Sequence, residues 1–141
     1  MPLGRRRVGV VGFGLPAFLG DVAARGVLDD VRLLSPRTVS LMASNHLPGH
    51  VDLEAYGRPL FAEMPFDGHG FGLGFSVLED PVKARTLSSA GEFAWGGAAS
   101  TAFWVDPAED ITVGFYTQLL PSSTYRLRPQ LRQLVYQALV D

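Results

Sequence analysis

The sequence predicts an α+β fold: an antiparallel sheet of three to five strands covered by a C-terminal helix. Three observations carry this reading. Short β-compatible runs fill residues 70–117, joined by links too short for a parallel crossover. Two of these runs, Thr101–Val105 and Ile111–Thr117, flank the polar insert Asp106-Pro107-Ala108-Glu109-Asp110 as a hairpin does. Near the C-terminus, Leu127, Leu131, Leu134, Val135 and Ala138 recur at i, i+4, i+7, i+8 and i+11, an apolar stripe suited to a sheet face.

The length of 141 residues allows one domain and a sizeable core. A net charge of −2 gives no basic footprint for nucleic acid. The absence of cysteine excludes a disulfide scaffold, a thiolate zinc site and a cysteine nucleophile. Hydrophobic residues at 47% exclude intrinsic disorder. The 16 glycines and 10 prolines belong to turns and glycine-bearing strands. Only one of the 12 basic residues is a lysine, Lys83.

Residues 1–26 form an N-terminal segment with three competing readings. Arg5-Arg6-Arg7, the apolar Val8–Gly20 and the small Val22-Ala23-Ala24 give residues 1–24 the layout of a secretory signal, broken by Gly9, Gly12, Gly14 and Pro16. Gly12-Phe13-Gly14-Leu15-Pro16-Ala17 fits G-x-G-x-x-A after the apolar Val8–Val11, which predicts a nucleotide-binding module. Asp29 or Asp30 would supply the acid of that module, although no βα repeat follows. The third reading is a helix over 15–26, with Pro16 in its first turn, Leu15, Phe18, Leu19 and Val22 on one face, and Gly26 at its end. The first reading implies secretion; otherwise the default is the cytoplasm. No stretch is long and apolar enough to span a membrane.

From residue 27 the elements follow in order. Asp29-Asp30 lies between two short apolar runs, Val27-Leu28 and Val31–Leu34, as a tight turn. Ser35-Pro36 opens a helix as N-cap and first-turn proline, with Val39, Met42 and Ala43 on its buried side and its end by Asn45. Residues 46–69 read as loop. His46 and His50 are four apart, but Pro48-Gly49 between them breaks any helical face, so they read as solvated loop histidines and no metal is expected.

In Gly70–Val77, Phe71, Leu73, Phe75 and Val77 alternate with Gly70, Gly72, Gly74 and Ser76, which predicts one strand with a groove of small residues on one face. So much glycine suits a strand that another backbone, a helix or a ligand approaches closely. Lys83–Ser89 and Glu92–Gly97 read as further strands. Pro129 fits the first turn of the final helix, where the dipole does not favour Arg126, Arg128 and Arg132; these reach solvent or acids elsewhere.

Several pieces together resemble a known family: Leu33–Val39, Gly70–Phe75, Phe93-Ala94-Trp95-Gly96-Gly97-Ala98-Ala99, and Phe103-Trp104-Val105-Asp106-Pro107. Their order and spacing resemble the C-terminal portion of serine β-lactamase-fold hydrolases, closest to the class C-like esterases and β-lactamase-related proteins. The resemblance covers most of residues 27–140, so 27–141 is read as the C-terminal part of such a domain. It implies acyl-enzyme hydrolysis of esters or β-lactam-like amides, with a serine in S-x-x-K, a tyrosine in Y-x-N and a third motif, often K-T-G, on a strand beside the site.

Trp95-Gly96-Gly97 resembles the esterase-like third motif. Trp95 stands for its lysine, Gly96 for its hydroxyl residue and Gly97 for its glycine, and the Ala98 N–H would be one oxyanion donor. A bare-backbone strand lets an acyl group lie close, and an N–H fixed in a sheet is preorganised for developing charge. Read from the strand alone, Trp95 is a sheet aromatic and Gly96-Gly97 a bulge.

No serine has a lysine three residues on, and no tyrosine has an asparagine two residues on. Gly74-Phe75-Ser76-Val77-Leu78 ends in leucine and fails as a nucleophile elbow. The expectation is a partial domain with no catalytic residue of its own, the nucleophile lying upstream of residue 1. Its site residues are Trp95, Gly96, Gly97 and Ala98, with a small ester or β-lactam-like substrate once the domain is complete, and no cofactor. One sheet face or edge would then be left open. A non-catalytic interaction fragment is the remaining alternative.

Overall fold

The computed structural model describes residues 26–28, 31–57 and 63–140. The secretory signal, the Gly12-Phe13-Gly14 fingerprint, Asp29-Asp30 and all but the last residue of the 15–26 helix lie outside these residues. Two short strands, β1 (Val27–Leu28) and β2 (Val31–Arg32), pair antiparallel, as the split apolar runs predict. Helix α1 (Pro36–Met42) follows, its Ser35 hydroxyl accepting the Thr38 N–H at 3.0 Å. Within the predicted 46–69 loop, a 3-10 turn (Pro48–His50) and the one-turn helix α2 (Leu53–Tyr56) are regular. Asp52 caps α2 through the Ala55 N–H at 2.8 Å.

The main sheet has five antiparallel strands in the order β3 (His69–Phe71), β4 (Ser76–Leu78), β5 (Phe93–Gly96), β6 (Ala102–Asp106), β7 (Ile111–Phe115). Each strand pairs with the next in sequence, so short links suffice. Helix α3 (Pro81–Ala84) follows β4, and α4 (Leu127–Tyr136) follows the sheet.

Three sequence readings need correction. Gly70–Val77 is not one strand but a hairpin, with Gly70 opposite Val77 and Phe71 opposite Ser76. Gly74, at φ +106°, takes the left-handed conformation that turns the chain, and the Gly72 N–H donates to the Phe75 carbonyl at 2.8 Å. Period-two spacing continues through the turn by coincidence, and Leu73 is left exposed at its tip. Lys83–Ser89 is not a strand: Asp80 caps α3 through the Lys83 N–H at 2.9 Å, Pro81 sits at its start, and the chain then turns. In α4 the buried side is Leu131, Val135 and Tyr136, while Leu134 is exposed, as is Ala138 just past the helix end.

Successive strand residues face opposite sides, and each side carries a core cluster. Val77, Phe93 and Val105 form one face, packed with Val39 of α1 and Phe75. Ala94, Trp104 and Val113 form the other, packed under Tyr136 of α4. Burying a side chain such as Phe93 contributes about 1.5–3 kcal/mol. The glycines of the β3–β4 hairpin serve close approach. A Cβ on Gly72 would stand 2.1 Å from the Met42 carbonyl at the end of α1, and one on Gly70 2.3 Å from Asn45 Cγ. Buried Asn45 binds this corner together: its Oδ1 accepts the Leu47 and Phe71 N–H groups, and its Nδ2 donates to the Val51 carbonyl and to Glu79.

Candidate functional site

The register Trp95–Phe103 and Gly96–Ala102 carries β5 to its end beside β6. A tight turn over residues 97–101 reverses the chain, the Gly97 N–H donating to the Thr101 carbonyl at 3.1 Å and the Ser100 N–H to the Gly97 carbonyl at 3.1 Å. Ser100 is fully buried at φ +64°, its hydroxyl donating to the Leu119 carbonyl at 2.7 Å. That bond holds the turn against the chain leaving β7, and the Leu119 N–H donates back to the Ala99 carbonyl at 3.2 Å. Ala98 is exposed on this turn.

A cleft of about 180 Å³ opens beside the turn. Trp95, Gly96, Gly97 and Ala98 all line it, so the structure brings the four predicted residues together on one wall. Phe66, His69 and, from α4, Arg128 and Arg132 also line it. Trp95 keeps 36% of its surface exposed and meets Phe71 edge-on at 5.0 Å between ring centres, with Phe66 at 6.1 Å. Trp95 is thus packed against two aromatic rings and partly exposed.

The sequence reading gives the charged residues of this cleft no role beyond sending Arg126, Arg128 and Arg132 to solvent or acids elsewhere; Arg128 and Arg132 meet acids, and Arg126 is exposed. Arg128 donates through Nη2 to the Gly97 carbonyl at 2.8 Å and the Thr101 carbonyl at 3.0 Å. Its Nε lies 3.6 Å from the buried Glu63 carboxylate. Arg132 donates to Glu92 Oε1 at 2.5 Å and lies over the Trp104 ring at 5.2 Å. The Tyr136 hydroxyl sits between two buried carboxylates, 2.7 Å from Asp106 Oδ2 and 3.2 Å from Glu92 Oε2. Burial, with these carboxylates beside it, pushes the phenol well above its usual range.

His69 falls in the predicted 46–69 loop, yet it is buried and lines the cleft. Burial pushes its imidazole below the ordinary value. The Asp67 carbonyl, 2.9 Å from Nδ1, can only accept, so Nδ1 carries the proton and the neutral ring keeps Nε2 as an acceptor. No spacing rule marks this position; the nearest signal is its place directly before the glycine-rich hairpin. Lys83, the single lysine, stands apart from the cleft. It donates to Asp52 Oδ2 at 2.5 Å, an oxygen that also accepts the Gly68 N–H at 3.0 Å. These bonds hold the Asp52 carboxyl down at about 2.

Chemically, the cleft offers aromatic and backbone surface to an apolar or aryl group, rimmed by arginines whose charges are already met. Ser76 also lines it, but its hydroxyl donates to the Ala94 carbonyl at 2.9 Å and so has no base to activate it. Among the described residues no three His, Asp or Glu side chains are grouped to hold a metal ion, and no helix is long and apolar enough to cross a membrane.

No protein-family model matches the chain. Protein Rv1367c of Mycobacterium tuberculosis is 36% identical over 107 residues, 73% of this chain and 24% of its own length. The chain thus spans about a quarter of the curated relatives it matches. Among solved structures, EstCE1, a hydrolase with promiscuous acyltransferase activity, superposes at TM-score 0.65 and 29% identity, over 84% of this chain and 27% of EstCE1. A LovD6 mutant of simvastatin synthase from Aspergillus terreus gives 0.68 at 21%, over 85% and 32%. The β-lactamase Mb2281c of Mycobacterium bovis gives 0.60 at 20%, over 85% and 41%. The chain therefore has the fold of part of a β-lactamase-fold hydrolase.

Proposed function

We propose that this chain supplies the third-motif strand and one wall of the acyl site of a class C-like, β-lactamase-related serine hydrolase. In this reading Trp95 and Gly96 form the wall, Gly97 allows close approach, and the Ala98 N–H is one oxyanion donor. What supports the reading is the convergence of these four residues on one cleft with Phe66 and His69. Trp95 stands where many relatives place a lysine, so the chain presents no cation there for a substrate carboxylate. That favours esters over β-lactams as substrates.

The 141 residues hold neither S-x-x-K nor Y-x-N, so the chain alone binds without turning over. One oxyanion donor and a binding wall do not replace a nucleophile. Titration with phenyl butyrate is expected to change Trp fluorescence saturably, and Trp95→Phe to remove that change. Purified chain is expected to leave p-nitrophenyl butyrate and a chromogenic cephalosporin intact. A flat titration overturns the binding role. Hydrolysis abolished by a Ser→Ala change in this chain overturns the partial-site reading.

A further inference from the structure

We propose that Arg128 is a positioning residue that aims the Ala98 amide, acting through the carbonyl of the same peptide group. This rests on the oxyanion role given to Ala98 above. The peptide plane makes the link direct: the Gly97 C=O and the Ala98 N–H belong to one rigid trans unit and point in opposite directions. Arg128 Nη2 grips that carbonyl at 2.8 Å and, with the same nitrogen, the Thr101 carbonyl at 3.0 Å across the neck of the turn. The Ser100 N–H also donates to that carbonyl at 3.1 Å, and Arg128 adds the charged donor that completes the grip; fixing this end of the peptide fixes the other. A cationic donor on the carbonyl also polarises the group and strengthens its N–H as a donor.

Two further observations show that the contact is built. A Cβ on Gly96 would stand 2.7 Å from Arg128 Nη2 and 2.8 Å from Cζ, so glycine is what admits the guanidinium. Arg128 is itself anchored: Glu63, with a side chain 1% exposed, accepts the Arg128 backbone N–H at 3.2 Å and faces its Nε. A lysine could pair with Glu63, but its compact ammonium does not reproduce the planar fork that meets both ends at once.

The test uses the full chain with Arg128→Lys and Arg128→Ala, followed by amide NMR and by the phenyl butyrate titration. Loss of charge-assisted bonds at the turn is expected to speed exchange of the Gly97 and Ser100 amides by about tenfold or more, with β6 and β7 amides unchanged. The Ala98 amide proton is expected to shift upfield in both variants, and Kd for phenyl butyrate to rise about 2–5-fold, as for a weakened neutral amide–carbonyl bond. Equal acceleration across the sheet makes Arg128 a general stabiliser and overturns the proposal. So does an Arg128→Lys chain with a wild-type Ala98 shift and exchange. Should the wild type fail to bind phenyl butyrate while the variants still loosen the turn, the binding role falls and the aiming of Ala98 stands. Should it bind and the variants bind equally, the aiming role falls alone.

Discussion

Replacing Tyr136 with phenylalanine tests the buried polar centre under α4. The ring keeps its place against Ala94, Trp104 and Val113, so the perturbation is one oxygen. That oxygen is 2.7 Å from Asp106 Oδ2 and 3.2 Å from Glu92 Oε2. It carries one proton, which serves the nearer acceptor, Asp106. The other partners remain: Arg132 on Glu92, and the Ser89 and Ala108 N–H groups on Asp106. One bond to a carboxylate is therefore lost, with no cavity, for an expected cost of about 2 kcal/mol. Urea unfolding should show a midpoint lower by about 1 M at unchanged slope. The folded phenol has a raised pKa, so its contribution is full below its ordinary value of 10 and is lost as pH rises through the higher folded value. Wild type should thus weaken above about pH 10 more than Tyr136→Phe does. A midpoint shift below about 0.3 M at neutral pH, against the ~1 M expected from the slope, would mean that the phenol does not stabilise these acids.

Asp52 gives the opposite pH sign. Its folded carboxyl is held at about 2, below the ordinary 3.8, so its stabilisation is present above pH 3.8 and lost as pH falls toward 2. Lys83→Met should raise the midpoint of acid unfolding, read by circular dichroism; an unmoved acid limb refutes the pairing. His69, with a lowered pKa, should destabilise the fold as pH drops below 6.5, and His69→Phe should flatten that slope. Asn45→Ala removes two donated and two accepted hydrogen bonds of a buried corner and should cost about 2–4 kcal/mol in a urea titration, whereas a neutral result would mean water replaces them.

The α1 boundaries, the β6–β7 hairpin and the strand carrying Trp95 were legible because local signals agreed with the fold. Ser35-Pro36 caps the helix, Pro107–Asp110 turns the hairpin, and β-branched and aromatic residues fill the strands. Gly70–Val77 misled because period two is blind to a turn whose left-handed residue, Gly74, falls in the sequence of small residues. The reason given for its glycines, close approach, was correct; the approaching groups are Met42 and Asn45. Asp80-Pro81 was a helix start masked by the β-compatible residues after it. On α4, spacing alone favoured Leu134, while Tyr136 was buried because Glu92 and Asp106 wait beneath it. That is the general limit in the cleft as well. Glu63, His69 and Arg128 meet there from separate elements, and no one-dimensional pattern encodes a partner 65 residues away.

The acids beneath α4 also have a consequence for synthesis. A ribosome delivers the five-stranded sheet through Phe115 well before Arg132 and Tyr136. At about 5–20 residues per second, the stretch from Asp106 to Tyr136 takes about 2–6 s. During that time the Trp104 face is uncovered, Glu92 lacks the Arg132 guanidinium that pairs with it, and Asp106 lacks the phenol that donates to it. The nascent sheet thus carries two carboxyl groups without their helix partners on its future interior, which keep that face wet and poorly adhesive until the last helix arrives to dry it.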